Sequence, residues 1–289
     1  MSGLIAVIGA TGVYGRHLVP RLVATGYRVR ALVRRPEAAA AAAACGAELA
    51  AADLFDEASL QKGLAGCDVA INLATALPSP SRAGDFAKND QLRREGTPIF
   101  ARACRAAGVA RIVQQSIAMV HAGGGDAWAD ETTFHSVELE IAAAAIAAAR
   151  AMETAIEQSS LDWLILRGAL FYGPGTDYDD DWFGRARAGK LRLPGQGDDY
   201  VSLVHIADMA GATLAALRLW PSQQALIVAD DQPARWRDVF SYVCAVTGAD
   251  PPQPGGRALL PSFRVSNRRA RELLSWAPLY SDYRAGLVR

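Results

Sequence analysis

Three glycines, each three residues from the next, set the strongest constraint on what this chain can fold into. The segment Ile5-Ala6-Val7-Ile8-Gly9-Ala10-Thr11-Gly12-Val13-Tyr14-Gly15-Arg16 runs from a short apolar strand pattern through a glycine turn into a helical pattern. A Gly-x-x-Gly-x-x-Gly turn between a strand and a helix is a place where backbone comes close to a ligand. Gly9 permits the tight turn, Gly12 lets a pyrophosphate approach the main chain, and Gly15 lets the helix pack on the sheet. The helix N-terminus then presents open N–H groups and the positive end of its dipole to phosphate. A dinucleotide site is the reading that follows, with Gly9, Thr11, Gly12, Val13, Tyr14 and Gly15 as its floor.

The rest of the chain supports a doubly wound α/β fold. Strand patterns at Leu4–Ile8, Arg28–Val33, Ala47–Ala52, Val69–Leu73, Arg111–Gln115 and Trp163–Arg167 alternate with helical patterns at Val13–Thr25, Lys88–Ala107 and Val137–Gln158. Asp56 is placed to cap a further helix through Leu64. Such alternation predicts βαβ units, a parallel sheet and right-handed crossovers. After Gly173 the pattern gives way to glycine, proline and acidic residues. A Rossmann-type domain over 1–172 and a smaller, interleaved substrate lobe over 173–289 are expected, with 200–230 returning elements to the sheet.

Charge bears on the choice of dinucleotide. An NAD site usually presents an acid to the ribose at the end of the second strand. Here Arg34 and Arg35 stand in that place, and no acid precedes Glu37. A guanidinium there can pair with a 2′-phosphate, so NADP is expected, with NAD as the alternative. The 30 basic and 30 acidic residues balance, which argues against nucleic acid or a membrane as partner. Met1-Ser2-Gly3-Leu4 leads directly into a strand pattern with no signal-peptide signature. Cys45, Cys67, Cys104 and Cys244 lie far apart, as do His17, His121, His135 and His205, so no metal site is read and a cytoplasmic chain is expected.

With these residues in view, the chain resembles the extended short-chain dehydrogenase/reductases of the NAD-dependent epimerase/dehydratase family. The likeness rests on Gly9 to Gly15, Asp53-Leu54, Asn72-Leu73-Ala74, Ser116, Leu166-Arg167-Gly168, Tyr172-Gly173-Pro174-Gly175, Val204-His205-Ile206-Ala207-Asp208 and Phe263-Arg264-Val265-Ser266-Asn267. It implies that Asp53 and Leu54 face the adenine, that Leu73 and Ala74 line the cleft, and that Gly168, Ala169 and Leu170 pass beside the nicotinamide. Asp208 reads as a helix N-cap and His205 as a packed structural histidine.

The family usually runs its chemistry with a Ser and a Tyr-x-x-x-Lys pair on the long helix after the fifth strand. No tyrosine occurs here between Tyr27 and Tyr172, and Lys62, Lys88 and Lys190 all fall outside that helix. Counting back from Glu153, which resembles the acid that follows the lysine, Ala149 and Ala145 stand in the two positions. Ser116, His121 and Tyr172 become the candidates for the catalytic work, with His135 behind them. The loop Gly123–Trp128 is a candidate lid, and Asp177–Trp182 a candidate substrate-reading segment. Three functions stay open: an NADP-dependent oxidoreductase on a small carbonyl or enone with an unusual proton donor; a redox sensor without turnover; and a non-redox isomerase, cyclase or lyase. The Ala-rich helix Val137–Gln158 is, by the resemblance, a surface for homodimerisation.

Overall fold

The computed structural model describes residues 3–258 and 260–287. Met1 and Ser2, on which the signal-peptide reading falls, lie outside the described residues. The first part of the chain runs β1 (Leu4–Ile8), α1 (Val13–Ala24), β2 (Arg28–Val33), α2 (Ala40–Ala44), β3 (Glu48–Ala51), α3 (Glu57–Leu64), β4 (Val69–Asn72), α4 (Phe86–Gln91), α5 (Thr97–Ala106), β5 (Arg111–Ile117), α6 (Glu140–Glu157) and β6 (Asp162–Gly168). The second runs β7 (Leu170–Tyr172), α7 (Tyr178–Arg187), β8 (Arg192–Pro194), β9 (Tyr200–Val201), β10 (Leu203–His205), α8 (Ile206–Leu219), β11 (Gln224–Val228), β12 (Ala234–Arg235), α9 (Trp236–Thr247), β13 (Gln253–Gly256), α10 (Arg268–Leu274) and α11 (Tyr283–Gly286).

Seven parallel strands form one sheet in the order β3-β2-β1-β4-β5-β6-β11. Every residue of β1 is buried, as the continuous apolar run of a central parallel strand requires. One face is covered by α1 and α8 through Leu18, Leu22, Met209 and Ala212. The other is covered by α3, α5 and α6 through Leu60, Phe100, Cys104 and Ile156. The order reverses between β1 and β4, and in open α/β sheets that switch point is where a ligand sits. At the far edge, the carboxylate of Glu131 accepts the Ile227 N–H of β11 at 3.0 Å, which satisfies an edge amide that no strand pairs.

Two helical expectations change. The pattern Lys88–Ala107 is not one helix: α4 passes into a π-helical turn at Leu92–Gly96 before α5 begins. Pro98 lies in the first turn of α5, where its missing N–H is tolerated; further inside a regular helix it would clash with the carbonyl of Arg94. Gly96 also lies so close to Leu54 that a Cβ there would come within 2.5 Å of Leu54 Cδ2. The second change is at α8. Its N-cap is His205, whose Nδ1 accepts the Ala207 N–H at 3.2 Å. Asp208 instead accepts the N–H groups of Leu279 and Tyr280, both at 2.9 Å, and pins the C-terminal segment.

Candidate active site

The glycine loop has the form of an anion cradle. Gly9 has φ +81, and a Cβ on it would stand 2.6 Å from the backbone carbon of Leu73. Gly15 is equally constrained: its Cβ would lie 2.4 Å from the carbonyl oxygens of both Gly9 and Ala10. Gly12 is the N-cap of α1 and has no side chain with which to cap it, and no acid stands in the first turn. The open amides of that turn therefore face solvent-side space with no competing anion from the chain. These residues fit a dinucleotide phosphate.

The remaining predicted cofactor residues divide by where their side chains go. Thr11 is exposed at the loop tip and Val13 half-buried beside it. Tyr14 turns away: its ring is buried against Phe171 and its hydroxyl meets Thr213 Oγ1 and the Met209 carbonyl on α8. Only its backbone is left at the loop, and burial raises its pKa. Leu73 and Ala74 press their backbone against Gly9. Arg34 and Arg35 are exposed, and neither makes an ion pair with a described residue. Asp53 is held in a local turn, its Oδ1 accepting the Phe55 N–H at 2.9 Å. Leu54 is buried under Gly96 rather than open to a ligand. Gly168, Ala169 and Leu170 continue from β6 into β7, with Ala169 donating to the Val228 carbonyl.

At the C-terminal rim of β5 and β6 the structure gathers a polar group that sequence reading only partly anticipated. Ser116 and Arg167 are register partners, so both side chains leave the same face of the sheet, toward α6. Arg167 grips Glu153 of α6 with two bonds of 2.9 and 2.8 Å, and both side chains are buried. Its remaining nitrogen, Nη1, lies 3.2 Å from His121 Nε2. The other ring nitrogen, Nδ1, is 2.7 Å from the Thr133 carbonyl. A carbonyl only accepts, so Nδ1 carries the proton and Nε2 accepts from Arg167. Burial, reinforced by the Arg167 charge and only partly opposed by the Thr133 carbonyl, pushes the His121 pKa down to about 4. Both nitrogens are committed, and the ring is neutral near pH 7. His121 therefore has no ring nitrogen without a partner.

Tyr172 is enclosed in a different way. It is fully buried, its hydroxyl donates to the Asp282 carbonyl at 3.3 Å, and Gly286 and His205 close over the ring. Burial and the surrounding carboxylates raise its pKa beyond the ordinary phenol range. His135 is exposed and stands against the backbone of Gly123 and Gly124. The hydroxyl of Ser116 is buried and has no hydrogen-bond partner among the described residues.

Ala149, one of the two positions that the resemblance gives to the missing pair, is fully buried among Val120 and Ile146. The carbonyl of Ala145, the other, accepts a bond of 3.1 Å from Arg93. Arg93 projects from the π-helical turn and is nearly buried, and burial lowers its pKa. Nothing in the local pattern singles it out, since Arg94 beside it is the same residue type. The proposed lid is tied down: Gly123 N–H donates to the Ser262 carbonyl, Arg264 to the Asp126 carbonyl, and Arg264 lies 4.5 Å over the Trp128 ring.

Comparison with known proteins agrees with this geometry. A family model described as NAD(P)H-binding matches residues 9–209. The chain belongs to that NAD(P)H-binding family, on an extended short-chain dehydrogenase/reductase fold. A 3-diazoavenalumate denitrifying reductase from a Streptomyces species is 34% identical over 99% of both chains. A 2-alkyl-3-oxoalkanoate reductase from Shewanella oneidensis is 26% identical, covering 93% of this chain and 75% of that one. The UDP-glucose 4-epimerase of Thermotoga maritima shares the fold at a TM-score of 0.81 and 18% identity, over 98% of this chain and 96% of that one.

Proposed function

We propose that the chain is an NADPH-dependent reductase whose hydride acceptor takes no proton from the protein. One observation carries this reading. Of the three side chains that could stand in for the missing tyrosine, two are spent: His121 is locked neutral and Tyr172 is sealed. Ser116 is left, and an unassisted hydroxyl donates a hydrogen bond without giving up its proton. When bound, the reduced nicotinamide supplies a hydride. A ketone that accepts it must also be protonated on oxygen. An arenediazonium need not be: Ar–N2⁺ and H⁻ give Ar–H and N2, the carbon–nitrogen pair leaving with the gas. The Streptomyces relative is named a 3-diazoavenalumate denitrifying reductase, which describes loss of nitrogen from a diazo compound. Ser116 then positions the acceptor, and the apolar packing at Ala149 keeps water from the reacting carbon.

Deuterium at the transferring position of NADPH is expected in the product arene at the carbon that carried nitrogen, with one N2 per NADPH consumed. Turnover of ketones or enones with no reaction of an arenediazonium would overturn the reading and return the function to carbonyl reduction, as the 2-alkyl-3-oxoalkanoate relative does. For NADP over NAD the support is Arg34 and Arg35, free and exposed at the end of β2. Replacing both with Glu is expected to weaken NADPH about 10-fold or more, the loss of a charge-assisted contact, and to leave NADH nearly unchanged. The partner we propose is a small molecule in a cytoplasmic setting. Pairing of two chains through α6, whose outward residues include Ala144, Ala147 and Ala151, would appear as a dimer in light scattering.

A further inference from the structure

The connection from β4 to α4, residues 74–85, is an ordered arm. Its base is fixed by Asn89, a buried side chain whose Oδ1 accepts from Thr75 Oγ1 at 2.9 Å and from the Ala76 N–H at 3.1 Å. Asp85 N–H donates back to the Ala76 carbonyl, and Ser79 and Arg82 exchange backbone bonds of 3.0 and 3.1 Å. The first residue of the arm, Ala74, rests against Gly9.

At the tip, the hydroxyls of Ser79 and Ser81 both donate to one oxygen of Asp177, at 2.6 and 2.5 Å. These contacts span 98 and 96 residues of sequence. Asp177 stands at the N-terminus of α7 with φ +69, and its side chain makes no capping bond to that helix. An aspartate in this place ordinarily caps; this one is spent on the arm. The two hydroxyls, with Arg82 and Arg16 nearby, hold its carboxyl below the usual range.

The segment that carries Asp177 is tied to α1 as well. His17 Nε2 lies 2.8 Å from the Pro174 carbonyl, and Arg16 Nη2 stands 3.5 Å from where a Cβ on Gly175 would be. The phosphate-binding end of α1 is thus flanked on one side by the arm, whose first residue packs against Gly9, and on the other by residues 173–177. The Ser79/Ser81–Asp177 contact joins the two across it.

We propose that residues 75–85 and 173–177 form a clasp over the N-terminus of α1, and that a dinucleotide enters and leaves only when the contact of Ser79 and Ser81 with Asp177 opens. This rests on the cofactor reading given above. Asp177 is then a positioning residue that sets how long the dinucleotide stays.

The test pairs two measurements on the full chain. Hydrogen exchange of residues 76–84 without dinucleotide reports the contact itself. Stopped-flow displacement of NADPH by excess NADP reports exchange of the cofactor. In Asp177→Ala, amide exchange in the arm is expected to rise and NADPH release to quicken at least about tenfold, the worth of one charge-assisted bond. The Ser79→Ala/Ser81→Ala variant, which leaves the α7 terminus intact, is expected to match it, and adding Asp177→Ala to that variant to change nothing more. Unchanged amide exchange would overturn the clasp. Faster amide exchange with unaltered association and release would overturn its role as a gate. If the arm loosens as expected but no chain binds NADPH, the cofactor reading itself fails and the gate falls with it.

Discussion

Among the described residues, Glu153 is the only anion that directly bonds the buried Arg167, and its removal has a cost that the structure lets one work out. Both side chains are about 5–6% exposed, joined by two bonds of 2.9 and 2.8 Å. In Glu153→Ala the guanidinium keeps its burial and loses its counter-charge. Breaking one partner out of such a pair typically costs about 3–5 kcal/mol. Against a total stability of roughly 5–15 kcal/mol, that is a large part of what holds the fold. The double variant Glu153→Met/Arg167→Met removes both charges and fills the space. Its expected loss is only the donor taken from His121 Nε2, about 1–3 kcal/mol, partly offset by apolar packing. Urea unfolding with linear extrapolation measures all three chains, and the slope should not change. NADPH affinity, set at the glycine loop, should stay near wild type in the double variant. A single-variant loss below about 1 kcal/mol would refute a dry pair. A double variant as unstable as the single would show that shape, not charge, is what the site requires.

Three further outcomes follow from the same side chains. His121 has its pKa held at about 4, below its unfolded value, so the unfolded chain binds more protons between those limits. Stability should therefore fall as pH drops from ~6.5 to about 4, by roughly 3 kcal/mol in all, and His121→Gln should flatten that part of the stability profile. Asp230 is buried with one oxygen unpartnered, and burial pushes its pKa up to about 8. The folded state keeps a proton that the unfolded state has lost, so stability falls as pH rises from ~4 to about 8; Asp230→Asn should raise the midpoint of thermal unfolding at pH 8, by at most about 5–6 kcal/mol in free energy. Gly9→Ala meets both a positive φ and the Leu73 backbone, and should cost about 2–5 kcal/mol in urea unfolding together with loss of measurable NADPH binding.

The parts of this molecule that were legible in sequence are those written into a residue type at a local spacing. Gly9, Gly12 and Gly15 could be read because only glycine admits that turn and that approach of backbone to backbone. The absence of tyrosine and lysine on α6 could be read because a missing side chain needs no structure to be seen. What replaced them could not. The Arg93–Ala145 and Glu153–Arg167–His121 contacts join α6 to a π-helical turn, to β6 and to the segment after β5, and no periodicity links those places. The same holds for Asp208, which sits where a cap is expected but is spent on residues 279 and 280, and for the loop at Trp128, whose glycines suggest mobility while Ser262 and Arg264 fasten it.

That division bears on how the site should be understood. A sequence that had merely lost its catalytic pair would leave a polar hole at α6, since water or a stranded donor would take the place of two side chains. Here Ala149 is packed against Val120 and Ile146, and His121, next to Val120 in the chain, is bonded at both nitrogens. Building a neutral, fully bonded histidine beside an arginine takes a specific acceptor on one side and a specific donor on the other, and the structure supplies both. The place of the missing pair is thus filled by packed and bonded groups. The acceptor proposed above, which takes hydride and sheds a neutral gas, asks nothing more of these residues.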